Sequence, residues 1–228
     1  MRTIYFAVVM SLLLSACTAS ADAVPTATTV PPTAAPTILP TETVPPVQSV
    51  LGFFPLAEGA RWEYAAEIEY QDPDDTQATA IWTGVVAVEV VGQEMIPDGK
   101  MVFTLEETLS PDPPDEVWRG ASSFQYTVSE NEIIDGAQSV LQWPLEDGQT
   151  WKTWPDSDFV YQTEASYKGD VETPYGALED CYAISILTGP DIKIEMFCPG
   201  VGFVQHFYHH FGTPQDEFFD LIAFEPGE

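Results

Sequence analysis

Basic side chains are scarce in this chain. Its 228 residues include 7 lysines and arginines against 36 aspartates and glutamates, and the formal net charge is −29. Such a field repels phosphate backbones, and nucleic-acid binding normally needs a basic stripe on one face of a protein. We therefore expect no nucleic-acid partner, and we attribute the acidity mainly to surface solvation.

The common signatures of catalysis and cofactor binding are also missing. The sequence contains no Gly-x-Ser-x-Gly, no His-Glu-x-x-His and no phosphate-binding glycine loop. His206, His209 and His210 lie close in sequence. In a strand, however, adjacent residues face opposite sides and residues four apart are about 13 Å apart, so no pair of them converges on one ion. We expect no catalytic residue, no metal and no cofactor.

The first 16 residues have the layout of a secretory signal. Arg2 supplies the charge, residues 4–14 are apolar, and small residues precede a cysteine. The apolar stretch is shorter than the roughly 20 residues that a membrane helix needs. Leu14-Ser15-Ala16-Cys17 resembles the lipobox of bacterial lipoproteins, which implies that the peptide is cleaved before Cys17 and that its thiol is acylated. We expect an exported chain whose partner is a lipid bilayer, at the cell surface or in the periplasm.

Residues 17–50 lack the composition of a folded domain. After the cysteine they are mostly Thr, Pro, Ala and Val, which cannot build a core and favour extended polyproline conformation. This composition predicts a lipid anchor followed by a disordered tether. Residues 51–228 are the right size for a single extracytoplasmic domain.

Alternating side chains predict strands throughout this domain. In the first, Trp62, Tyr64, Ala66, Ile68 and Tyr70 alternate with side chains that are mostly glutamate, the period of two of a half-buried strand. Further candidate strands span residues 80–91, 100–109, 124–128, 159–167, 178–187, 192–198, 203–211 and 217–224. Short polar or Gly/Pro segments separate them, and no window of ordinary helix length shows a period of 3.6. We predict an all-β fold, an antiparallel half-barrel or barrel of about 9 to 11 strands, with a β-sandwich as the alternative.

Cys181 and Cys198 form an even pair once the lipobox cysteine is acylated. Between them a Thr-Gly-Pro-Asp turn separates two apolar runs, the pattern of a hairpin. If Leu187 pairs with Ile192 across this turn, the two cysteines lie opposite each other on one face. We predict a disulfide, as an oxidising compartment favours. The alternative is two buried thiols that act as small apolar side chains.

An internal repeat marks two places in the domain. Phe54-Pro55-Leu56-x-x-Gly59-x-x-Trp62 recurs as Trp143-Pro144-Leu145-x-x-Gly148-x-x-Trp151. We interpret each phrase as a proline-bent approach, a glycine-containing turn and a core tryptophan that opens a strand. The repeat therefore predicts two halves of similar build, and its residues have a structural role.

The opening phrase, together with residues 197–204, resembles a broad set of uncharacterised bacterial surface lipoproteins. The second phrase contains Pro199, Gly200 and Gly202, and Cys198 stands where that set usually has alanine. The disulfide is thus not implied by the resemblance. What it implies is an all-β, half-barrel architecture without known catalytic residues.

Together these features favour a non-enzymatic envelope lipoprotein whose β domain binds an apolar ligand, a glycan or a protein partner. One alternative is a carbohydrate-active hydrolase with two carboxylates about 5 to 10 Å apart, one with a raised pKa. Trp82, Trp118 and Trp154 could then stack on sugars. Another is a purely structural envelope module, in which the aromatic side chains fill a closed core.

Overall fold

A computed structural model describes residues 46–228, except 76, 118–121, 159–160 and 213–214, and gives only the backbone of residues 46–49. The signal peptide, Cys17 and most of the tether therefore lie outside the described residues. Within the described ranges, no helix has the length and apolar character needed to cross a membrane.

The described part of the chain contains one short helix and twelve strands. The helix α1 spans Pro46–Phe53. The strands are β1 (Arg61–Gln71), β2 (Thr79–Met95), β3 (Met101–Ser110), β4 (Ser123–Val128), β5 (Glu132–Asp135), β6 (Gln138–Gln142), β7 (Thr150–Lys152), β8 (Gln162–Thr173), β9 (Gly176–Leu187), β10 (Asp191–Cys198), β11 (Gly202–His210) and β12 (Gln215–Glu225).

All twelve strands belong to one sheet, in the order β6-β5-β4-β3-β2-β1-β12-β11-β10-β9-β8-β7, and neighbours run antiparallel. Its two edge strands, β6 and β7, follow each other in the chain and meet. The Ser139 N–H donates to the Thr153 carbonyl at 2.8 Å, just beyond the end of β7. The sheet thus curls into a nearly closed barrel, which confirms the all-β, barrel-like prediction and disfavours the sandwich.

Three of the twelve strands were not among those expected from the sequence. β5, β6 and β7 have 4, 5 and 3 residues, too few for a period of two to stand out. They complete the barrel because they lie on either side of its seam. The count therefore exceeds the 9 to 11 strands predicted.

Helix α1 was also not expected, because the tether was predicted to run to residue 50. Its eight residues are too few for a helical period to be recognised, and Pro46 suits the first turn of a helix, where no N–H is needed. Val50 is only 1% exposed, and Phe53 packs on Trp143 with ring centroids 3.7 Å apart. The last turn of this helix therefore packs on the β domain.

The glycines of the two repeated phrases adopt matching conformations, whereas the peptide bond before the proline is cis in the second phrase, at Trp143-Pro144, and not in the first. Gly59 and Gly148 both have positive φ, 84° and 75°, a region that favours glycine. The Gly59 N–H donates to the Val90 carbonyl at 2.8 Å, and the Gly148 N–H to the Ala165 carbonyl at 2.9 Å. Each phrase thus turns into a strand beside a longer neighbouring strand.

The tryptophans that end these phrases are buried and bonded in the same way. The Trp62 indole N–H donates to the Val201 carbonyl at 2.7 Å, and that of Trp151 to the Ser139 carbonyl at 3.0 Å. A buried indole normally finds such a partner. The repeat therefore opens two halves of six strands each, β1–β6 and β7–β12.

A disulfide joins Cys181 on β9 to Cys198 on β10. Leu187 and Ile192 are register partners, as the sequence-based hairpin required, so the cysteines end on one face. Both are fully buried. The bond ties two neighbouring strands together close to the turn that follows β10.

Candidate functional site

The barrel holds a cavity of about 530 Å³. One side is formed by the inner faces of β1–β4, where the lining is almost entirely apolar. Eight phenylalanine, tyrosine and tryptophan side chains line the cavity as a whole: Phe54, Trp62, Tyr64, Phe124, Tyr126, Phe203, Tyr208 and Phe219. Such a volume and lining are typical of small-molecule sites.

The end of the cavity near α1 is built by the opening phrase of the domain, which begins at Phe54, and by the phrase that contains Pro199, Gly200 and Gly202. The Gly200 N–H donates to the Phe53 carbonyl at 2.7 Å. Gly202, with φ 102°, lies so close to Phe54 that an added Cβ would be 2.5 Å from the ring. The Pro199–Gly202 turn and the opening phrase therefore form one unit, the cavity floor, on which Phe54 is fixed.

Phe54 packs against four other aromatic rings in this floor. Its ring centroid lies 5.8 Å from that of Trp62, 6.0 Å from Tyr126, 5.8 Å from Phe197 and 5.4 Å from Phe203. Edge-to-face packing at these distances favours aromatic pairs beyond simple burial. The floor is thus rigid and apolar.

The opposite side of the cavity is polar, because β10–β12 direct charged residues inward. Lys193 Nζ lies 3.1 Å from Glu195 Oε1. His206 bridges two carboxylates, with Nδ1 3.4 Å from Glu195 Oε1 and Nε2 3.5 Å from Glu217 Oε2. Glu195 and His206 are direct register partners across β10 and β11. The four side chains form one network, which we call the charged wall.

Ionisation of the charged wall is set by competition between burial and charge. Burial opposes ionisation of Glu195, but Lys193 and His206 outweigh it and lower the pKa of Glu195 to about 2. Burial likewise opposes protonation of His206, but Glu195 and Glu217 raise its pKa above the ordinary value. Opposite charges thus favour the ionised forms of both groups in this interior.

Asp135, at the end of β5, also faces the cavity but has a different environment. Burial raises the pKa of Asp135, Lys193 works against this, and the negative charge of Glu195 adds to it. Within the described ranges its carboxylate has no hydrogen-bond or ion-pair partner. Its register partner on β4 is Tyr126. An unpaired carboxylate and an aromatic ring therefore stand side by side in the cavity.

The tyrosines of the site are neutral hydrogen-bond donors. Burial raises the pKa of Tyr64, whose hydroxyl donates to the Phe203 carbonyl at 2.9 Å. Burial, together with Asp191, raises the pKa of Tyr208 to about 12. The Tyr208 hydroxyl donates to Asp191 Oδ1 at 2.8 Å, and His210 Nδ1 lies 2.6 Å from the same oxygen.

Asp191 belongs to the lining of a second cavity, of about 570 Å³. Trp154 and Tyr161 also line it, and their rings pack edge to face at 5.6 Å. Tyr208 lines the first cavity, so the hydrogen bond between Tyr208 and Asp191 lies between the two. Trp154, one of the tryptophans considered for sugar stacking, is therefore accessible from this second cavity.

Of the other two candidate tryptophans, Trp82 lines neither cavity. Trp82 is buried, and its ring lies over Gly84, which has no room for a side chain. Its indole nitrogen has no hydrogen-bond partner in the described part of the chain. Trp118 lies outside the described residues. Trp82 is therefore a core residue and does not stack on a sugar.

The three histidines point to carboxylates on both faces of β11. His206 and His210 face inward, to Glu195 and Glu217 and to Asp191, whereas His209 faces outward and bonds Asp216. In the ranges that the structure describes, no three His, Cys, Asp or Glu side chains are placed to hold a metal ion. His209 thus lies on the opposite face of β11 from His206 and His210.

Comparison with known proteins gives no family. No protein-family model matches the chain, and no curated protein matches it with significance. Three solved structures share parts of its fold at low identity. One is a protein from Bacteroides fragilis with a YmcC-like fold, described provisionally as exported. It has a TM-score of 0.42 and 14% identity to this chain, and the match covers 76% of this chain and 98% of the Bacteroides protein.

The other two structures have similar or lower TM-scores and identities. A provisionally assigned lipoprotein from Parabacteroides distasonis has a TM-score of 0.41 and 11% identity, over 76% of this chain and 99% of its own. MucB has a TM-score of 0.30 and 10% identity, over 80% of this chain and 58% of its own. Similarity at this level carries no information about ligand or mechanism.

Proposed function

We propose that this chain is a non-enzymatic lipoprotein of the bacterial cell envelope, anchored through acylated Cys17, whose barrel binds a small molecule with an apolar body. The observation that carries the binding proposal is the cavity of about 530 Å³, whose lining includes eight phenylalanine, tyrosine and tryptophan side chains. Apolar surface left open at this scale inside a domain is used for ligands in many proteins. The lipobox and the tether support a location outside the cytoplasm, where the barrel would meet molecules of the envelope.

The cavity argues against the alternative of a purely structural envelope module, because that alternative predicts a closed core. The hydrolase alternative has one feature in its favour, the raised pKa of Asp135 beside a second carboxylate, Glu195. Glu195 is, however, already bound by Lys193 and His206. A nucleophile or base needs a carboxylate that can reach the substrate, so binding fits this geometry better than hydrolysis.

Native mass spectrometry of residues 18–228, exported to a bacterial periplasm and purified without detergent, tests the proposal. This form contains every described residue and leaves out the acylated cysteine. Val88 lines the cavity, whereas Val85 lies on the opposite face of the same strand. Val88→Phe fills the cavity, and Val85→Phe is its matched control.

We expect an apolar adduct of one molecule per chain on the wild type and on Val85→Phe, and its loss from Val88→Phe. An adduct that survives equally in Val88→Phe would place binding outside the cavity. Cleaved sugar products in place of an intact adduct would favour the hydrolase. Folding of each variant is checked by circular dichroism.

A further inference from the structure

The cavity lining carries an excess of negative charge. Its basic side chains number two and its carboxylates four, which leaves 2 − 4 = −2 even with His206 protonated: Lys193 and His206 against Glu107, Asp135, Glu195 and Glu217. An apolar cavity normally has few charges. A ligand that brings a positive charge would compensate this excess.

Asp135 is a carboxylate of this lining that is open to a ligand. Glu195 is bonded by Lys193 at 3.1 Å, and Glu217 lies on His206. Asp135 has no such partner in the part of the chain that the structure describes. A half-buried carboxylate without a partner is costly, and a ligand cation would provide the missing partner.

Aromatic rings stand next to this carboxylate. Tyr126 is the register partner of Asp135, and its ring packs edge to face on Phe124 at 5.4 Å. Both rings line the cavity. The faces of aromatic rings attract organic cations, most strongly where water is excluded. A carboxylate beside two rings is thus suited to an ammonium group on an apolar body.

We infer that the cavity selects an organic cation, an alkyl or aryl ammonium, and that Asp135 receives its charge with Tyr126 and Phe124 beside it. This inference rests on the proposed function, since it assigns a chemical class to the ligand of the same cavity. The ammonium group of Lys193 acts on Asp135 only through space, because it is in contact with Glu195 at 3.1 Å.

Three probes that share a ten-carbon alkyl chain isolate the effect of the head-group charge: decylammonium, decanol and decanoate. Their affinities for residues 18–228 are measured by calorimetry at neutral pH and physiological ionic strength, where surface charges are screened beyond about 8 Å. Asp135→Asn removes the proposed partner. Asp74→Asn, at an exposed position of the β1–β2 loop, is the control for general attraction to an acidic protein.

We expect decylammonium to bind about ten-fold tighter than decanol, with decanoate weakest. Asp135→Asn should remove most of this preference and leave decanol binding unchanged, whereas Asp74→Asn should change neither. Equal binding of the three probes, with all of them lost in Val88→Phe, would overturn the cation inference and leave the proposed function intact. A preference that survives in Asp135→Asn would overturn the role of Asp135. No binding of any probe would contradict both proposals.

Discussion

The cavity floor gives the sharpest prediction about stability, because two glycines of one turn share a positive φ but differ in the space around them. Gly200 and Gly202 both have positive φ, 80° and 102°. A Cβ at Gly200 would meet nothing within 4 Å, whereas a Cβ at Gly202 would lie 2.5 Å from the Phe54 ring. Alanine at Gly200 adds backbone strain alone, and alanine at Gly202 adds the same strain and a clash.

The magnitudes follow from these two contributions. Placing a non-glycine residue in the left-handed region costs about 1–2 kcal/mol, which is the effect expected for Gly200→Ala. Overpacking a core costs about 1–3 kcal/mol more, since a shift of Phe54 into the cavity would disturb its contacts with four neighbouring rings. Gly202→Ala should therefore lower the free energy of unfolding by about 2–5 kcal/mol.

Urea unfolding followed by tryptophan fluorescence measures both variants. Gly52, in α1, has open space around its Cβ and no positive φ, so Gly52→Ala serves as the control and should not destabilise. Gly202→Ala should also weaken binding of an apolar probe, since Phe54 is forced toward the cavity. Equal losses for Gly200→Ala and Gly202→Ala would refute the rigid floor.

Three further predictions concern bonds that hold the barrel. Trp62→Phe leaves the buried Val201 carbonyl without its donor and should cost about 1–3 kcal/mol in urea unfolding, and Trp151→Phe should cost a similar amount. Replacing both Cys181 and Cys198 by alanine should lower the free energy of unfolding by about 2–4 kcal/mol. Because the folded state lowers the pKa of Glu195 from 4.5 to about 2, its ionised form stabilises the fold above pH 4.5. The stability difference between the wild type and Glu195→Gln should then shrink as the pH falls from 4.5 through 2.

Each of these three predictions can be contradicted by a specific result. A Trp62→Phe variant as stable as the wild type would show that the indole hydrogen bond is replaced in the variant. Free thiols recovered from the native oxidised protein after unfolding in a thiol-blocking reagent would exclude the disulfide. A difference for Glu195→Gln that grows toward acid pH would mean that burial, and not Lys193 and His206, dominates the ionisation of Glu195.

Local patterns predicted nine of the twelve strands and one of the contacts. The alternation from Trp62 to Tyr70 corresponds to β1, since a long strand with one wet face repeats every two residues. The position of Leu187 against Ile192 followed from the short turn, and the cysteine pair followed from that register. Features that depend on neighbours in sequence were thus accessible.

The charged wall could not be predicted from the sequence in the same way. Along β10, Asp191, Lys193 and Glu195 alternate with apolar side chains, but alternation does not say which face lies inside a closed barrel. In most sheets the polar face is the wet one. Here it points into the cavity, because closure of the sheet between β6 and β7 decides what is inside, and that closure involves residues far apart in sequence.

The central claim, that the barrel interior is a binding site, is tested most directly with a neutral apolar probe. Binding of N-phenyl-1-naphthylamine to the wild type, Val88→Phe and Val85→Phe is followed by the increase in probe fluorescence. We predict saturable binding of one probe per chain, equal for the wild type and Val85→Phe and about ten-fold weaker for Val88→Phe, because only Val88 of the two lines the cavity. Equal binding by all three proteins, or no saturable binding by the wild type, would contradict the claim.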